Sequence, residues 1–266
     1  MFCLAALIPS PPVLVPELCG GAVPAGAETA TAAPSGAADR SESAVAALRT
    51  AVLETGAALA EAASQWTVLG VAAAEGQYDT GTVGTFRGFG PEVTVSLGGV
   101  PAAAGGPDPD LPLAVLIAGW LRGAVAPSVT VRAQILATGS SAARCAEAGA
   151  KLRAELDAVD EPQGVLVVAD GAATLSTAAP GYLDPRARGV QDELDRALSA
   201  GDRAALLEMD AGVCAELMVS GRVAYQALAG LFAADPVPPV VVERYRDAPF
   251  GVGYYAGSWR PGGQGR

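Results

Sequence analysis

The side chains able to do chemistry are few and widely spaced. The chain has no histidine among its 266 residues. That excludes any catalytic triad built on imidazole and the two-histidine, one-carboxylate iron site. What is left is hydroxyl, carboxyl and phenol chemistry. Ser10 lies between Pro9 and Pro11 and would line a pocket or bond its own turn. It has no evident base, so a nucleophilic role is not indicated. Asp170, Thr174 and Ser176 follow the most apolar run of the sequence. There an aspartate can take a ligand hydroxyl or cap a turn. Glu17 and Glu243 form a carboxylate pair if they face one cavity, and two surface carboxylates otherwise. Close carboxylates drive one pKa upward and give an acid–base couple. Glu75, Tyr78 and Arg87 reach the pocket from a glycine-bearing segment or are solvated loop residues. Tyr182 precedes Asp184-Pro185, a good N-cap and first helical residue, and lines a pocket mouth or packs on the sheet edge.

Elements that would position these groups follow from the punctuation. Residues 2–8 and 164–169 are short apolar runs, as in strands buried on both faces. Further strands are predicted over 66–73, 92–97, 129–136, 238–244 and 252–259. Helices are predicted from Ser41 to Ser64, over 111–123 and 140–159, from 186 to 199, with one or two more between 202 and 233. Residues 20–38 read as a loop, 75–91 as a long irregular loop, 170–185 as a polar loop and 260–266 as a frayed tail. The alternation implies one α/β domain over residues 1–266, with helices on both faces of a central mixed, largely parallel sheet. Ligands in such folds sit at the carboxyl ends of strands. The loops 9–17, 74–90 and 170–185, with Glu243 and Arg244 ending a fourth strand, are therefore the places to look.

Composition narrows the partners. Net charge is −11 and Lys151 is the only lysine, so nucleic acid and anionic membrane are poor partners. No Gly-Lys-Ser/Thr or dinucleotide fingerprint occurs, so no nucleotide cofactor is indicated. The opening residues read as a strand and not as a signal peptide, because prolines follow at once and no positive segment precedes. No apolar run reaches the ~20 residues of a membrane span, and 111–126 come nearest. Cys3, Cys19, Cys145 and Cys214 form no CxxC pair and read as free thiols of a reducing cytosol.

Four segments in order carry a resemblance. They are Ala6-Leu7-Ile8-Pro9-Ser10-Pro11-Pro12-Val13-Leu14-Val15-Pro16-Glu17, Val165 to Thr174, Ala179 to Pro185 followed by Ala200-Gly201-Asp202, and Ala248 to Tyr254. Together the chain resembles the LigB-like family, that is, the class III extradiol ring-cleavage dioxygenases and their Memo-type relatives. Its alanine-rich composition is most like an actinobacterial branch. The resemblance implies a LigB-like α/β fold and a pocket that holds Fe(II) on two histidines and a glutamate. By the same resemblance the first ligand position falls on Ser10 and the second on Ala74 or Glu75. The catalytic histidine falls on Thr174 or Ser176, and the carboxylate on Glu243. Serine, alanine and threonine cannot replace imidazole. The expectation is therefore a metal-free, cofactor-free, cytoplasmic member that binds a small organic molecule or a partner without ring cleavage. The alternatives are altered carboxylate/tyrosine chemistry (a hydrolase or isomerase), a divergent dioxygenase, or an interaction protein. The resemblance also implies a homodimer.

Overall fold

The computed structural model describes residues 1–19, 38–99 and 106–263. The first apolar run forms β1 (Phe2–Ile8), and the prolines after it stop the strand and start two short 3₁₀ turns, Pro12–Leu14 and Pro16–Cys19. Then come α1 (Ala38–Ala62), β2 (Gln65–Ala72), β3 (Gly76–Tyr78), β4 (Val83–Thr85) and β5 (Thr94–Ser96). The middle of the chain supplies α2 (Leu113–Val125), β6 (Thr130–Ala137), α3 (Ala142–Asp157) and β7 (Gln163–Val168). The last third supplies α4 (Ala187–Ala200), α5 (Arg203–Leu207), α6 (Ala211–Glu216), α7 (Arg222–Leu231), β8 (Val240–Asp247) and β9 (Tyr254–Arg260).

Seven strands make one sheet in the order β3-β6-β2-β7-β1-β9-β8. β6, β2, β7 and β1 are parallel, and β3, β9 and β8 run antiparallel to their neighbours. β7 therefore enters between β1 and β2, with Leu4 to Ile8 opposite Gly164 to Val168. Every residue of β7 is buried, as a strand covered on both faces must be. One face packs Leu4, Ala6, Ile8, Val68 and Leu166 against α1 and α2. The other packs Phe2, Ala5, Leu7, Val165 and Val167 against α3 and α7. Phe232 stands edge-on between Phe2 (5.3 Å) and Trp259 (5.4 Å) and closes that second core. The fold is thus the expected α/β arrangement, a mixed, largely parallel sheet with helices on both faces.

Local boundaries depart from the sequence reading. The segment 75–91 is not one irregular loop: Gly76–Tyr78 adds an edge strand to β6, and Val83–Thr85 pairs with Thr94–Ser96 in a separate two-stranded sheet. The two three-residue strands within 75–91 carry too little period to be read from sequence, while Thr94–Ser96 falls inside the strand expected over 92–97. Three helices, not one or two, fill 202–233, two of them started by side-chain caps from Asp202 and Asp210. β8 runs on to Asp247, which leaves Glu243 in mid-strand. Arg260 is the last residue of β9 and not part of a tail, while the loop expected over 20–38 and the end of that tail, 264–266, fall almost wholly outside the described residues. Glu42–Ala62, rather than 111–126, is long and apolar enough by composition to cross a membrane. Its residues Leu48, Ala51, Val52 and Leu59 are buried in the first core, so it serves as a core helix.

Candidate functional site

The parallel strands β1, β2, β6 and β7 all deliver their carboxyl ends to the same edge of the sheet, and β9, running the other way, begins there with Tyr254. A cavity of about 530 Å³ opens at that edge. Its floor is Asp170, two residues past the end of β7. Ser10, two residues past the end of β1, donates to it twice: the backbone N–H to Oδ1 (2.7 Å) and Oγ to Oδ2 (2.5 Å). Pro9 and Pro11 fix the backbone on both sides of Ser10, which aims both donors one way.

The loop that carries Asp170 is tied down at nearly every residue. Gly171 N–H donates to Gly253 O (2.8 Å) and Gly253 N–H to Ala172 O (2.9 Å). Ala172 N–H donates to the side chain of Gln191 (2.8 Å) and Tyr225 Oη to Ala169 O (2.9 Å). Gly221 N–H donates to the backbone oxygen of Asp170 (2.9 Å), and a Cβ at residue 221 would sit 2.5 Å from that oxygen. Glycine is required there for the start of α7 to approach so closely. A carboxylate held this way sits with its surroundings largely fixed before any ligand arrives.

The rest of the cavity is apolar with a few polar points. Pro11, Pro12, Leu113, Ala173 and Val252 line it, together with Cys214, Met218 and Tyr254. Arg222, the first residue of α7, is 6% exposed and reaches the same space. Burial pushes the Asp170 carboxyl above the ordinary aspartate value, against the opposing pull of the two Ser10 hydrogen bonds. Burial, and then the nearby Asp170, push the Tyr254 phenol well up. Burial also raises the Cys214 thiol, with Arg222 pulling the other way, so it is an unreactive neutral thiol at neutral pH.

The expected site residues divide sharply. Ser10 and Asp170 meet. Thr174 lies behind the wall, buried, its Oγ1 donating to Leu217 O (3.2 Å). Ser176 packs beneath Gly251 and does not line the cavity. Ala74 and Glu75 are exposed, and Glu75 pairs with Arg144 (2.8 Å). Tyr78 belongs to the edge strand β3 and borders a different groove with Arg132 and Glu155. Tyr182 is 64% exposed and holds a left-handed backbone with φ at 60°. Glu17 is exposed on its 3₁₀ turn. Glu243 is on β8, bonded to Ser199 and near Arg246, so the two glutamates do not share a cavity. The reason is the length of β8: the run ends at Asp247, so the strand end lies four residues beyond the glutamate.

Sequence reasoning misses Tyr254, Arg222 and Cys214 as site residues. Tyr254 ends the fourth of the segments quoted above, which is a usable cue. Arg222 follows Ser220-Gly221 at the start of an apolar helix. Only the contact between 170 and 221, some fifty positions apart, shows that this helix start belongs to the site.

The donor set does not suit ferrous iron. Among the described residues no three histidine, cysteine, aspartate or glutamate side chains converge. The cavity offers one carboxylate, already occupied by Ser10, and one thiol kept neutral by burial. No protein-family description matches the chain, and no curated protein does. Among solved structures, the uncharacterized protein JW3007 of Escherichia coli K12 is similar, with a TM-score of 0.54 at 11% identity, over 96% of this chain and 99% of that one. At that identity the likeness establishes the shared α/β fold of the two chains, and the functional reading rests on the cavity itself.

Proposed function

We propose that the protein is a LigB-like, cytoplasmic member of its fold that has no iron site and binds a small organic molecule in the cavity above Asp170. The observation that carries this reading is the Ser10–Asp170 pair. It is a preformed, desolvated acceptor at the floor of an apolar cavity, where α/β sheets bind ligands. The four ordered segments supply the family comparison. Metal analysis of protein expressed and purified with iron present tests it. Iron well below one equivalent is expected, with no oxygen uptake on adding catechols. One tightly held equivalent of iron, lost in Asp170→Asn, overturns the reading.

A second reading rests on a different fact. The raised carboxyl of Asp170 and the phenol of Tyr254 face the same space, which is the pairing a carboxylate-based hydrolase or isomerase needs. It predicts turnover of a cyclic ester that falls about 100-fold or more in Asp170→Asn. A panel of such esters with no turnover beyond that of the Asp170→Asn protein removes it.

A further inference from the structure

Arg222 is a buried cation held only by neutral groups. Its Nη1 donates to Gln226 Oε1 (2.7 Å), and its Nη2 donates to Thr138 O (3.0 Å) and Ser140 O (3.0 Å). No carboxylate among the described residues lies within ion-pair distance of it. Arg153, half-buried at an α3–α7 contact, is instead paired with both Asp157 (2.6 Å) and Asp235 (2.8 Å), while Arg122, as buried as Arg222, also donates only to backbone oxygens but does not line the cavity. A guanidinium carries five N–H donors. The Nε–H and the second Nη1–H have no acceptor among the described residues. Burying a charge without a counter-ion is costly. Three carbonyl-type acceptors fix the fork in place but do not neutralise it. The helix behind it begins at Gly221 with no side-chain cap, so its positive end adds to the same potential. Ser220, Arg222 and Val223 bring that end to the cavity wall.

Asp170 lies in the same cavity and accepts both hydrogen bonds from Ser10. Arg222 and Asp170 thus line one cavity together with the apolar side chains of Pro11, Pro12, Leu113, Ala173 and Val252. We infer that the ligand of this cavity is a monocarboxylate with an apolar body, its carboxylate held by Arg222. This rests on the small-molecule reading above and names the class it takes. The free Nε–H and Nη1–H lie on opposite edges of the guanidinium, so the carboxylate is held through one charge-assisted hydrogen bond. The apolar walls reward a body of several carbons. With Asp170 in the same largely apolar cavity, a second carboxylate on the ligand is disfavoured.

The experiment is isothermal titration of the whole chain with octanoate, cyclohexanecarboxylate, octanamide, suberate and octyl phosphate. The two monocarboxylates are expected to bind, and octanamide and suberate at least about ten-fold more weakly, the worth of one charge-assisted contact. Arg222→Lys should weaken octanoate by a similar factor, and Arg222→Gln should remove the preference for acid over amide, with circular dichroism showing both folded. If neither variant folds, the acid-against-amide comparison on the unaltered chain decides. Equal binding of octanoate and octanamide, or octyl phosphate binding more tightly than octanoate, overturns the carboxylate assignment and leaves the small-molecule cavity standing. Failure of every compound to bind overturns both.

Discussion

Replacing Gly149 by valine is expected to leave no folded protein, and by alanine to cost at least about 3 kcal/mol, the upper range for overpacking. A Cβ at residue 149 would lie 1.9 Å from Ala227 O and 2.7 Å from Leu231 N. The crossing is reciprocal, since a Cβ at Gly230 would lie 2.1 Å from Ala146 O. α3 and α7 therefore meet backbone to backbone, with no flexible side chain able to yield. The same α7 presents Arg222 to the cavity and ties Tyr225 to the end of β7, so separating the helices pulls on the site as well. Urea denaturation followed by circular dichroism measures it. An alanine variant within about 1 kcal/mol of the parent would show that the helices stand farther apart than described.

Asp170 gives the second large effect. Asp170→Ala strips the acceptor from the Ser10 N–H and hydroxyl and should cost about 2 kcal/mol, the range for donors left without a partner. Asp170→Asn keeps an acceptor for the N–H and is expected to behave differently with pH. Burial raises the Asp170 pKa, so the folded state holds that proton more tightly than the unfolded one. The resulting stabilisation is present below the unfolded value of about 4 and is lost as pH rises through the folded value, about 1.4 kcal/mol for each unit of the shift. The asparagine variant cannot ionise. Its stability relative to the parent should therefore climb from about pH 4 towards neutrality. Denaturation midpoints of the two proteins across that range give the comparison. A constant difference would mean that the Ser10 hydrogen bonds balance the cost of burial.

Long apolar runs make the sheet legible. β1 and β7 are buried on both faces and read as such, and Ser10 and Asp170 stand out because both lie just past those strands. The residues around them follow less well. Glu243 reads as a strand end because Arg244 to Asp247 alternate too little in polarity to look like strand. The strands β3 and β4 are three residues each, below any readable period, whereas β5 falls inside the strand predicted over 92–97. Arg222 is invisible as a site residue because nothing local to it differs from an ordinary helix start. Its meaning comes from Thr138 and Ser140, more than eighty residues earlier. Sequence spacing reports what is near along the chain, and this cavity is built from what is far.

The late insertion of β7 between β1 and β2 has a consequence for biosynthesis. Ser10 and Asp170 are 160 residues apart, so the cavity floor cannot close until Asp170 has left the ribosome, long after Ser10. Until then β1 and β2 wait with bare hydrogen-bonding edges on either side of an empty slot, the condition under which nascent chains stick to one another. A chain cut before residue 163 should accumulate in inclusion bodies, while the whole polypeptide, folding slowly through these distant pairings, should reach the soluble fraction.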